Sequence, residues 1–296
     1  MKELNKQITS DRFIGCDSDY QDADIVLFGA GFDGTTSYRP GARFGGKVIR
    51  AESYGLESYS PYLNKELTDI KVFDSGELEL PFGNTEKTLL TIYKAQKQIL
   101  NDNKIPVMLG GEHLVTLPAI EACSQKYPDL RLIHFDAHTD LRDEYLGEKL
   151  SHACVMRRCW EVLGDNRIYS FGVRSGTREE FEWGEKHIHL SKEYAMPTIS
   201  SFLPNFTEGF DVVNSLGDNP VYLTIDIDVL DPSEFPATGT PEAGGVRFLE
   251  LIQMIRYVCG ANIVGADLVE YSHPYDTSGV CAATAGKVLR ELLLSI

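Results

Sequence analysis

Short runs of Val, Ile and Leu recur along the chain and alternate with longer stretches in which apolar residues are spaced three or four positions apart. Continuous apolar runs of this length, ended by Gly, Asp or Arg, are typical of strands that are buried on both faces. The pattern predicts seven strands, at residues 24–31, 105–111, 131–137, 167–174, 187–191, 221–229 and 263–270.

Between most of these strands, the spacing of three to four predicts amphipathic helices. Residues 86–102 carry Leu89, Ile92 and Ile99 at this spacing, and residues 247–259 follow the same pattern. Further helices are expected at residues 114–126, 151–164, 177–186, 207–215 and 277–294. Strands that alternate with helices predict an α/β fold of three layers, with a largely parallel sheet between two layers of helices.

The chain has no internal repeat and no low-complexity linker, so a single domain over residues 1–296 is the simplest organisation. Residues 32–62 depart from the alternation, because they are rich in Gly, Arg and Tyr and are expected to be mostly irregular. Long loops within compact domains commonly have a function. The GARFGG stretch in this loop is not a phosphate-binding loop, because it lacks both the GxGxxG order and the GK[ST] ending.

The composition is that of a globular protein, with 43% hydrophobic and 24% charged residues. The formal net charge of −16 argues against nucleic acid and anionic membranes as partners and is compatible with a small cationic substrate. The start of the chain is polar, and no apolar run is long enough to cross a bilayer. The six cysteines form no CxxC pair, so we expect a reduced, cytoplasmic protein.

Four segments carry carboxylates and imidazoles directly after predicted strands. The candidate ligands and binding residues are His113 in GGEH, Asp136, His138 and Asp140 in FDAHTD, Asp226 and Asp228 in TIDIDVLDP, and Glu270 in ADLVE. In open α/β sheets the carboxyl ends of the strands form the site, so these segments are expected to converge. So many titratable groups share one edge at low cost only when cations neutralise them. Asp231 and Asp267, in the same segments, are expected to be turn or supporting residues.

The spacing and the number of ligands indicate the kind of metal site. In FDAHTD the ligands alternate with a period of two, and each such step covers about 6.6 Å of extended chain. Either the chain turns at the strand end, or two ions lie side by side. Two His and four Asp exceed the ligand set of a tetrahedral zinc site. They suit two octahedral ions, with Mn²⁺ as the favoured metal, and such a pair can activate water for hydrolysis.

The blocks GGEH, FDAHTD, SHA and TIDIDVLDP stand in the order of the signature blocks of the ureohydrolases, the arginase–agmatinase family. The chain resembles that family over nearly its whole length. The resemblance implies an eight-stranded, largely parallel sheet, two Mn²⁺ ions per chain and a homo-oligomer that is a trimer or a hexamer. It also implies that the ligands of one ion include His113 and Asp140, those of the other include His138 and Asp228, and the bridging residues are Asp136 and Asp226.

The implied reaction is the hydrolysis of a guanidino group to urea and an amine. By the same resemblance, Glu270 holds the guanidinium, for which a carboxylate is a natural partner. His152, in SHACVMRR, is implied to shuttle protons or to help bind the substrate, and the pKa range of imidazole suits that work. Asp140 is implied to carry the proton that the departing amine requires.

Two departures from the arginases concern the substrate. Arginases have an Asn two residues after the third ligand Asp, where this chain has Arg142, and they have an acidic stretch where this chain has Ser175 and Gly176. The stretches TSYRPGARFG, RSGTREEFEW and TGTPEAGG instead resemble bacterial agmatinases, which implies agmatine as the substrate and putrescine and urea as the products.

Arg142 keeps a second substrate class open. Its charge could pair with the carboxylate of guanidinobutyrate or a related guanidino acid, and arginine is less favoured than either. Alternatively, the charge could be neutralised within the protein by Asp143, Glu144 or Glu179.

Two more distant functions are compatible with part of the pattern. A polyamine deacetylase with a single zinc ion has a similar sheet and binds its metal through Asp-x-His and a later Asp. It would leave His113 and Asp140 without a role. A non-enzymatic, metal-stabilised binding protein would have no need of the pair His152 and Glu270, and both residues are present.

Overall fold

A computed structural model of the chain describes residues 12–190 and 212–296. Its central sheet has seven strands, β1 (Ile25–Ala30), β4 (Val72–Glu77), β5 (Ile105–Gly110), β6 (Arg131–Phe135), β7 (Ile168–Phe171), β8 (Pro220–Asp226) and β9 (Asn262–Val269). A separate hairpin consists of β2 (Tyr59–Ser60) and β3 (Lys65–Glu66). The order across the main sheet is β4-β1-β5-β9-β8-β6-β7, and all neighbours are parallel.

The helices of the described residues are α1 (Gly45–Glu52), α2 (Thr85–Asn101), α3 (Thr116–Lys126), α4 (Val155–Leu163), α5 (Arg178–His187), α6 (Val212–Leu216), α7 (Phe248–Val258) and α8 (Val280–Ser295). Apolar residues of α2, α3 and α4 pack on one face of the sheet, and those of α1, α6, α7 and α8 pack on the other. The predicted α/β fold with helices on both faces is therefore confirmed.

The strands supply both apolar layers because successive side chains point to opposite faces. In β1, Ile25 and Leu27 belong to one core and Val26 and Phe28 to the other. A strand covered on both sides in this way needs apolar residues at nearly every position, and this requirement explains the continuous apolar runs in the sequence. None of the helices in the described ranges is long and apolar enough to span a membrane.

The predicted number of eight strands was wrong for the main sheet, which has seven in the described residues. β4 was missed because its sequence, VFDSGE, is largely polar. It is the edge strand beside β1, Phe73 on it also forms an antiparallel bridge with Asp17, and its buried Asp74 is compensated by Arg50, with 2.8 Å between Oδ2 and Nε. The predicted strand at 187–191 does not form over residues 187–190, and residue 191 lies outside the described residues. His187 ends α5, and His189 forms an isolated parallel bridge with Tyr169.

Two other expectations need correction at their boundaries. The segment 32–62 was expected to be mostly irregular, but it contains α1 and the short strand β2. The helix expected at residues 207–215 lies partly outside the described residues, and α6 covers the remainder. The other six predicted helices form within four residues of their expected ends.

Candidate metal centre

The candidate ligands follow adjacent strands at the edge of the sheet where those strands end. His113 begins a short 3-10 turn after β5, and Asp136 comes directly after β6. Asp226 is the last residue of β8, and Glu270 comes directly after β9. Because β5, β9, β8 and β6 are neighbours in this order, the four strand ends lie side by side. The structure therefore brings the predicted segments together.

Three carboxylate oxygens surround the ring nitrogen Nδ1 of His113. Oδ2 of Asp136 lies 2.9 Å from it, Oδ2 of Asp226 lies 3.3 Å from it, and Oδ2 of Asp140 lies 3.4 Å from it. Asp140 has a left-handed backbone, with φ 51°, so the chain is no longer extended at this residue. A turn at the strand end, one of the two possibilities that the alternating spacing left open, is therefore present.

His138 and Asp228 form a second group that shares Asp136 with the first. Nδ1 of His138 lies 3.1 Å from Oδ2 of Asp228 and 3.4 Å from Oδ1 of Asp136. Asp228 is fixed by the backbone, because its Oδ1 accepts the N–H of Ala137 at 3.1 Å and its own N–H donates to Oδ1 of Asp226 at 2.8 Å. The two carboxylate oxygens of Asp136 thus face different imidazoles.

A buried chain of hydrogen bonds fixes the tautomer of His113. Thr224 donates its hydroxyl proton to Oδ1 of Asp267 at 2.6 Å, so its oxygen is left to accept Nε2–H of His113 at 2.9 Å. In the neutral ring, Nδ1 then carries the lone pair. Asp267 also accepts the hydroxyl protons of Thr116 and Tyr222, both at 2.9 Å, and it is therefore a supporting residue.

The surroundings of His113 fit a metal ion. Its Nδ1 is buried and has no hydrogen-bond partner in the described part of the chain, although three carboxylates face it. No Lys or Arg of the described residues pairs with any of the candidate carboxylate ligands. A divalent cation would compensate both the lone pair and the negative charges, since imidazole and carboxylate are its usual ligands. Ligand atoms lie within 4.8 Å of one another in two groups, His113, His134, Asp136 and Asp140, and Asp136, His138 and Asp228.

His134 was not singled out from the sequence. Its Nε2 lies 2.7 Å from Oδ2 of Asp136, and its Nδ1 lies 3.0 Å from the hydroxyl of Ser170. The carboxylate accepts, so His134 donates through Nε2 and Ser170 donates to Nδ1. The period-two alternation that marked Asp136 and His138 extends back to His134, and this signal could have identified it.

Burial shifts the pKa values of the carboxyl groups. It raises the pKa of Asp226 well above its usual range, and the charge of Asp228 adds to the shift. Burial also raises the pKa of Glu270. For His113, burial acts to lower the pKa, but the surrounding carboxylates outweigh it and the pKa is raised. Carboxylates with such values do not all ionise together unless cations compensate them.

Glu270 is held rigidly beside these ligands. Its Oε1 accepts the backbone N–H of His113 at 2.8 Å, and its own backbone N–H donates to the carbonyl of Gly111 at 2.8 Å. Its backbone is left-handed, with φ 67°. That conformation costs a residue with a Cβ about 1–2 kcal/mol, and strain of this kind concentrates at functional sites.

The centre opens into a cavity of about 240 Å³. His152 lines this cavity, and its Nε2 lies 3.2 Å from the hydroxyl of Ser37. Burial lowers the pKa of His152, although the charge of Asp140 opposes the shift, so the imidazole is neutral at pH 7. The cavity walls combine candidate metal ligands, Glu270 as the candidate for binding the guanidinium, and the loop after β6. They include His138, Asp140, Arg142, Tyr145, Asp226 and Glu270.

Arg142 lines the same cavity, but it is not neutralised by any of the three carboxylates considered from the sequence. Its Nε lies 3.5 Å from Oε2 of Glu180, and its guanidinium carbon lies 4.5 Å from the centroid of the Tyr145 ring. Asp143 instead pairs with Arg158 at 2.6 Å. The alternative of an acidic partner within the protein therefore applies to Arg142, but the partner is Glu180 and not one of the three carboxylates named from the sequence.

Glu180 was missed because its local role and its long-range role differ. Locally it completes the capping box of α5, since its Oε2 accepts the N–H of Thr177 at 2.7 Å. Its Oε1 reaches the loop after β6, where it accepts the hydroxyl of Thr139 at 2.7 Å and the N–H of Leu141 at 3.3 Å. The sequence TREE predicts the cap, but not the contact across the fold.

Known proteins resemble the chain over nearly its full length. The sequence model of the arginase family matches residues 23–295. The agmatinase of Bacillus subtilis (strain 168) is 47% identical over 285 residues, which cover 95% of each chain. The mitochondrial guanidino acid hydrolase of Homo sapiens is 36% identical over 281 residues, which cover 92% of this chain and 78% of that one. The crystal structure of the agmatine ureohydrolase of Thermoplasma volcanium has a TM-score of 0.87 at 32% identity and covers 100% of this chain and 97% of that one.

The fold is of the α/β class, and its His and Asp side chains gather at the carboxyl ends of neighbouring strands, as in hydrolases that use metal ions. The chain belongs to the arginase family. It is a ureohydrolase, and agmatinases are among the proteins that its sequence and fold resemble.

Proposed function

We propose that the protein hydrolyses agmatine to putrescine and urea with the help of two Mn²⁺ ions. The observation that carries the proposal is the pair of ligand groups that share Asp136 and open into the cavity that Glu270 also lines. The similarity to the agmatinase of B. subtilis supports agmatine among the guanidino compounds.

Six side chains would hold the ions. His113 and Asp140 would bind one ion, His138 and Asp228 the other, and Asp136 and Asp226 would bridge. The contacts of Asp136 with both imidazoles support its bridging role, and the lone pair of His113 supports its role as a ligand. When bound, the ions would lower the pKa of a water molecule and so supply a hydroxide nucleophile for the guanidino carbon at neutral pH.

Glu270 would bind and orient the guanidinium. One of its oxygens accepts the N–H of His113, and this hydrogen bond orients the carboxylate in the cavity wall. A planar guanidinium and a carboxylate match in geometry and charge, and this pairing would hold the carbon at one place.

The proton balance assigns work to two further residues. Hydrolysis forms a C–O bond, breaks the C–N bond to the amine and moves a proton from water to the leaving nitrogen. Asp140, which lines the cavity beside the proposed ions, would carry that proton. The neutral His152 at the cavity wall would accept or deliver protons to solvent.

Charge at the cavity mouth is compatible with a substrate that ends in an amine. Among the described residues of the cavity wall, Arg142 is the one Lys or Arg, and it is paired with Glu180. A second candidate is a guanidino acid such as guanidinobutyrate. The observation in its favour is that the Arg142 side chain is 36% exposed in the cavity wall, where it could turn to such a carboxylate.

Assembly and location go beyond the geometry of one chain. The homo-oligomer, a trimer or a hexamer, and the cytoplasmic location stay predictions. Size-exclusion chromatography with light scattering would measure the first.

The decisive experiment measures urea release by the purified protein from agmatine, 4-guanidinobutyrate and arginine, each with and without added Mn²⁺. We expect Mn²⁺-dependent turnover that is fastest with agmatine. Preference for the guanidino acid would select the second candidate, and preference for arginine would contradict both. A metal content of one Zn²⁺ per chain would contradict the two-ion centre.

A further inference from the structure

Glu112 is a fully buried carboxylate next to His113 that does not belong to the ligand groups. Its side chain accepts hydrogen bonds from the loop after β1 instead. Oε2 accepts the backbone N–H of Thr35 at 2.8 Å and the hydroxyl of Thr36 at 3.1 Å, and Oε1 accepts the hydroxyl of Thr35 at 2.5 Å. No Lys or Arg in the described ranges pairs with it.

A buried carboxylate without a cationic partner is costly unless hydrogen-bond donors satisfy it. The three donors to Glu112 therefore show which part of the chain it stabilises. All three come from two consecutive residues of one loop. Glu112 therefore acts as a clamp between the segment that carries His113 and the loop at Thr35 and Thr36.

The backbone on either side of Glu112 strengthens this contact. The N–H of Glu112 donates to the carbonyl of Phe32 at 2.7 Å. The approach requires Gly111, since a Cβ there would lie 1.8 Å from the carbonyl oxygen of Phe32. The backbone contact at Phe32 thus holds the loop against the end of β5, and the side chain of Glu112 binds the loop again at Thr35 and Thr36.

The clamp extends to His152 through Thr35. The single hydroxyl proton of Thr35 goes to Glu112, so the oxygen presents its lone pairs elsewhere and accepts the backbone N–H of His152 at 3.1 Å. Two residues on, the hydroxyl of Ser37 contacts Nε2 of His152 at 3.2 Å. The same loop therefore holds His152 at its backbone and at its ring.

We propose that Glu112 is a positioning residue that acts through Thr35 to fix His152 at the wall of the substrate cavity. The inference rests on the proposed function in one respect, namely that His152 acts on the substrate. Its structural part, the chain from Glu112 through Thr35 to His152, stands apart from catalysis and can be measured separately.

The chain offers a matched pair of variants. Thr35→Val removes the hydroxyl that joins Glu112 to His152. Thr36→Val removes a hydroxyl that also binds Glu112 but does not touch His152. Both variants lose one hydroxyl at neighbouring positions with little change in shape, so a general loosening of the loop affects them alike.

We expect Thr35→Val to lower kcat about 10- to 100-fold with a smaller change in KM, because a misplaced group costs that much when the substrate is still bound. Thr36→Val should keep kcat within about 3-fold of the wild type, and Thr35→Ser, which keeps the hydroxyl, should restore most of the loss. Glu112→Gln should resemble Thr35→Val, since an amide offers one acceptor where two oxygens are needed. A kcat for Thr35→Val less than about fivefold below that of Thr36→Val would overturn the proposal.

Amide hydrogen exchange of the Mn²⁺-loaded protein without substrate tests the chain directly. Thr35→Val should speed exchange at His152 and not at Thr35, whose N–H still binds Glu112, while Glu112→Gln should speed exchange at both. Unchanged exchange at His152 in Thr35→Val would refute the clamp while leaving the proposed function intact. Conversely, the expected exchange in a wild-type protein that releases no urea would refute only the proposed function. If Glu112→Gln fails to fold, the Thr35 and Thr36 variants carry the test alone.

Discussion

Arg142 lies against the buried Glu180 at the cavity wall, with 3.5 Å between Nε and Oε2. Glu180 is 5% exposed, and its oxygens also accept hydrogen bonds from Thr139, Leu141 and Thr177. The positive charge of Arg142 is therefore balanced within the protein, while part of its side chain remains exposed. Such a cation repels an amine-ended substrate only weakly.

The first prediction concerns this pair. We expect Arg142→Ala to shift the ratio of kcat/KM for agmatine over 4-guanidinobutyrate about 2- to 5-fold toward agmatine. The reason is that a partly exposed charge contributes up to about 1 kcal/mol, and its removal favours the cationic end and disfavours the carboxylate. Urea release from both substrates measures the ratio. Arg142→Lys keeps the charge and should stay near the wild type, and a shift toward the acid in Arg142→Ala would count against the reading.

The second prediction concerns Asp136, whose oxygens face both His113 and His138. Asp136→Ala should lower bound metal and reduce urea release by about 100-fold or more, since loss even of a supporting residue costs 10- to 100-fold. Metal analysis by mass spectrometry and the urea assay measure the two effects, and circular dichroism checks the fold. Full urea release by Asp136→Ala would contradict the proposed mechanism outright.

The third prediction separates substrate binding from metal binding. Glu270→Gln keeps the acceptor for His113 N–H but removes the charge opposite the guanidinium. Truncating such a buried charged pair costs about 2–5 kcal/mol, so kcat/KM for agmatine should fall about 30-fold to several thousandfold. The Mn²⁺ content should remain that of the wild type. An unchanged kcat/KM would remove Glu270 from the substrate site.

The sequence predicts the layers of this fold well because strands covered on both faces need apolar runs, and β1, β5, β8 and β9 have them. β4 escapes because an edge strand tolerates polar residues, and its Asp74 is compensated by Arg50, a partner 24 positions away in the chain. Charge compensation between distant segments leaves no period in the sequence.

The same distinction holds within the site. Ligand residues such as Asp136 and Asp228 stand at strand ends and repeat a local spacing, so they can be recognised from sequence. Glu112 and Glu180 act through partners 77 and 39 residues away, respectively, and nothing near them in the chain indicates those partners. Supporting residues are therefore the part of the site that requires the fold to be known.

The fourth prediction concerns Asp231, in the turn at the end of the TIDIDVLDP segment. The carboxylate of Asp231 accepts hydrogen bonds from Ser233 and from the backbone N–H groups of Gly244 and Gly245. The hydrogen bonds from Ser233 are the main reason that its pKa is lowered from 3.8 to about 2. A depressed pKa stabilises the fold above pH 3.8, and this contribution is lost as the pH falls through about 2. Asp231→Asn should therefore unfold at a lower urea concentration than the wild type at pH 7. The difference between the two urea midpoints should begin to narrow below pH 4. A difference that stays constant from pH 7 to pH 3 would show that the charge of Asp231 does not contribute to stability.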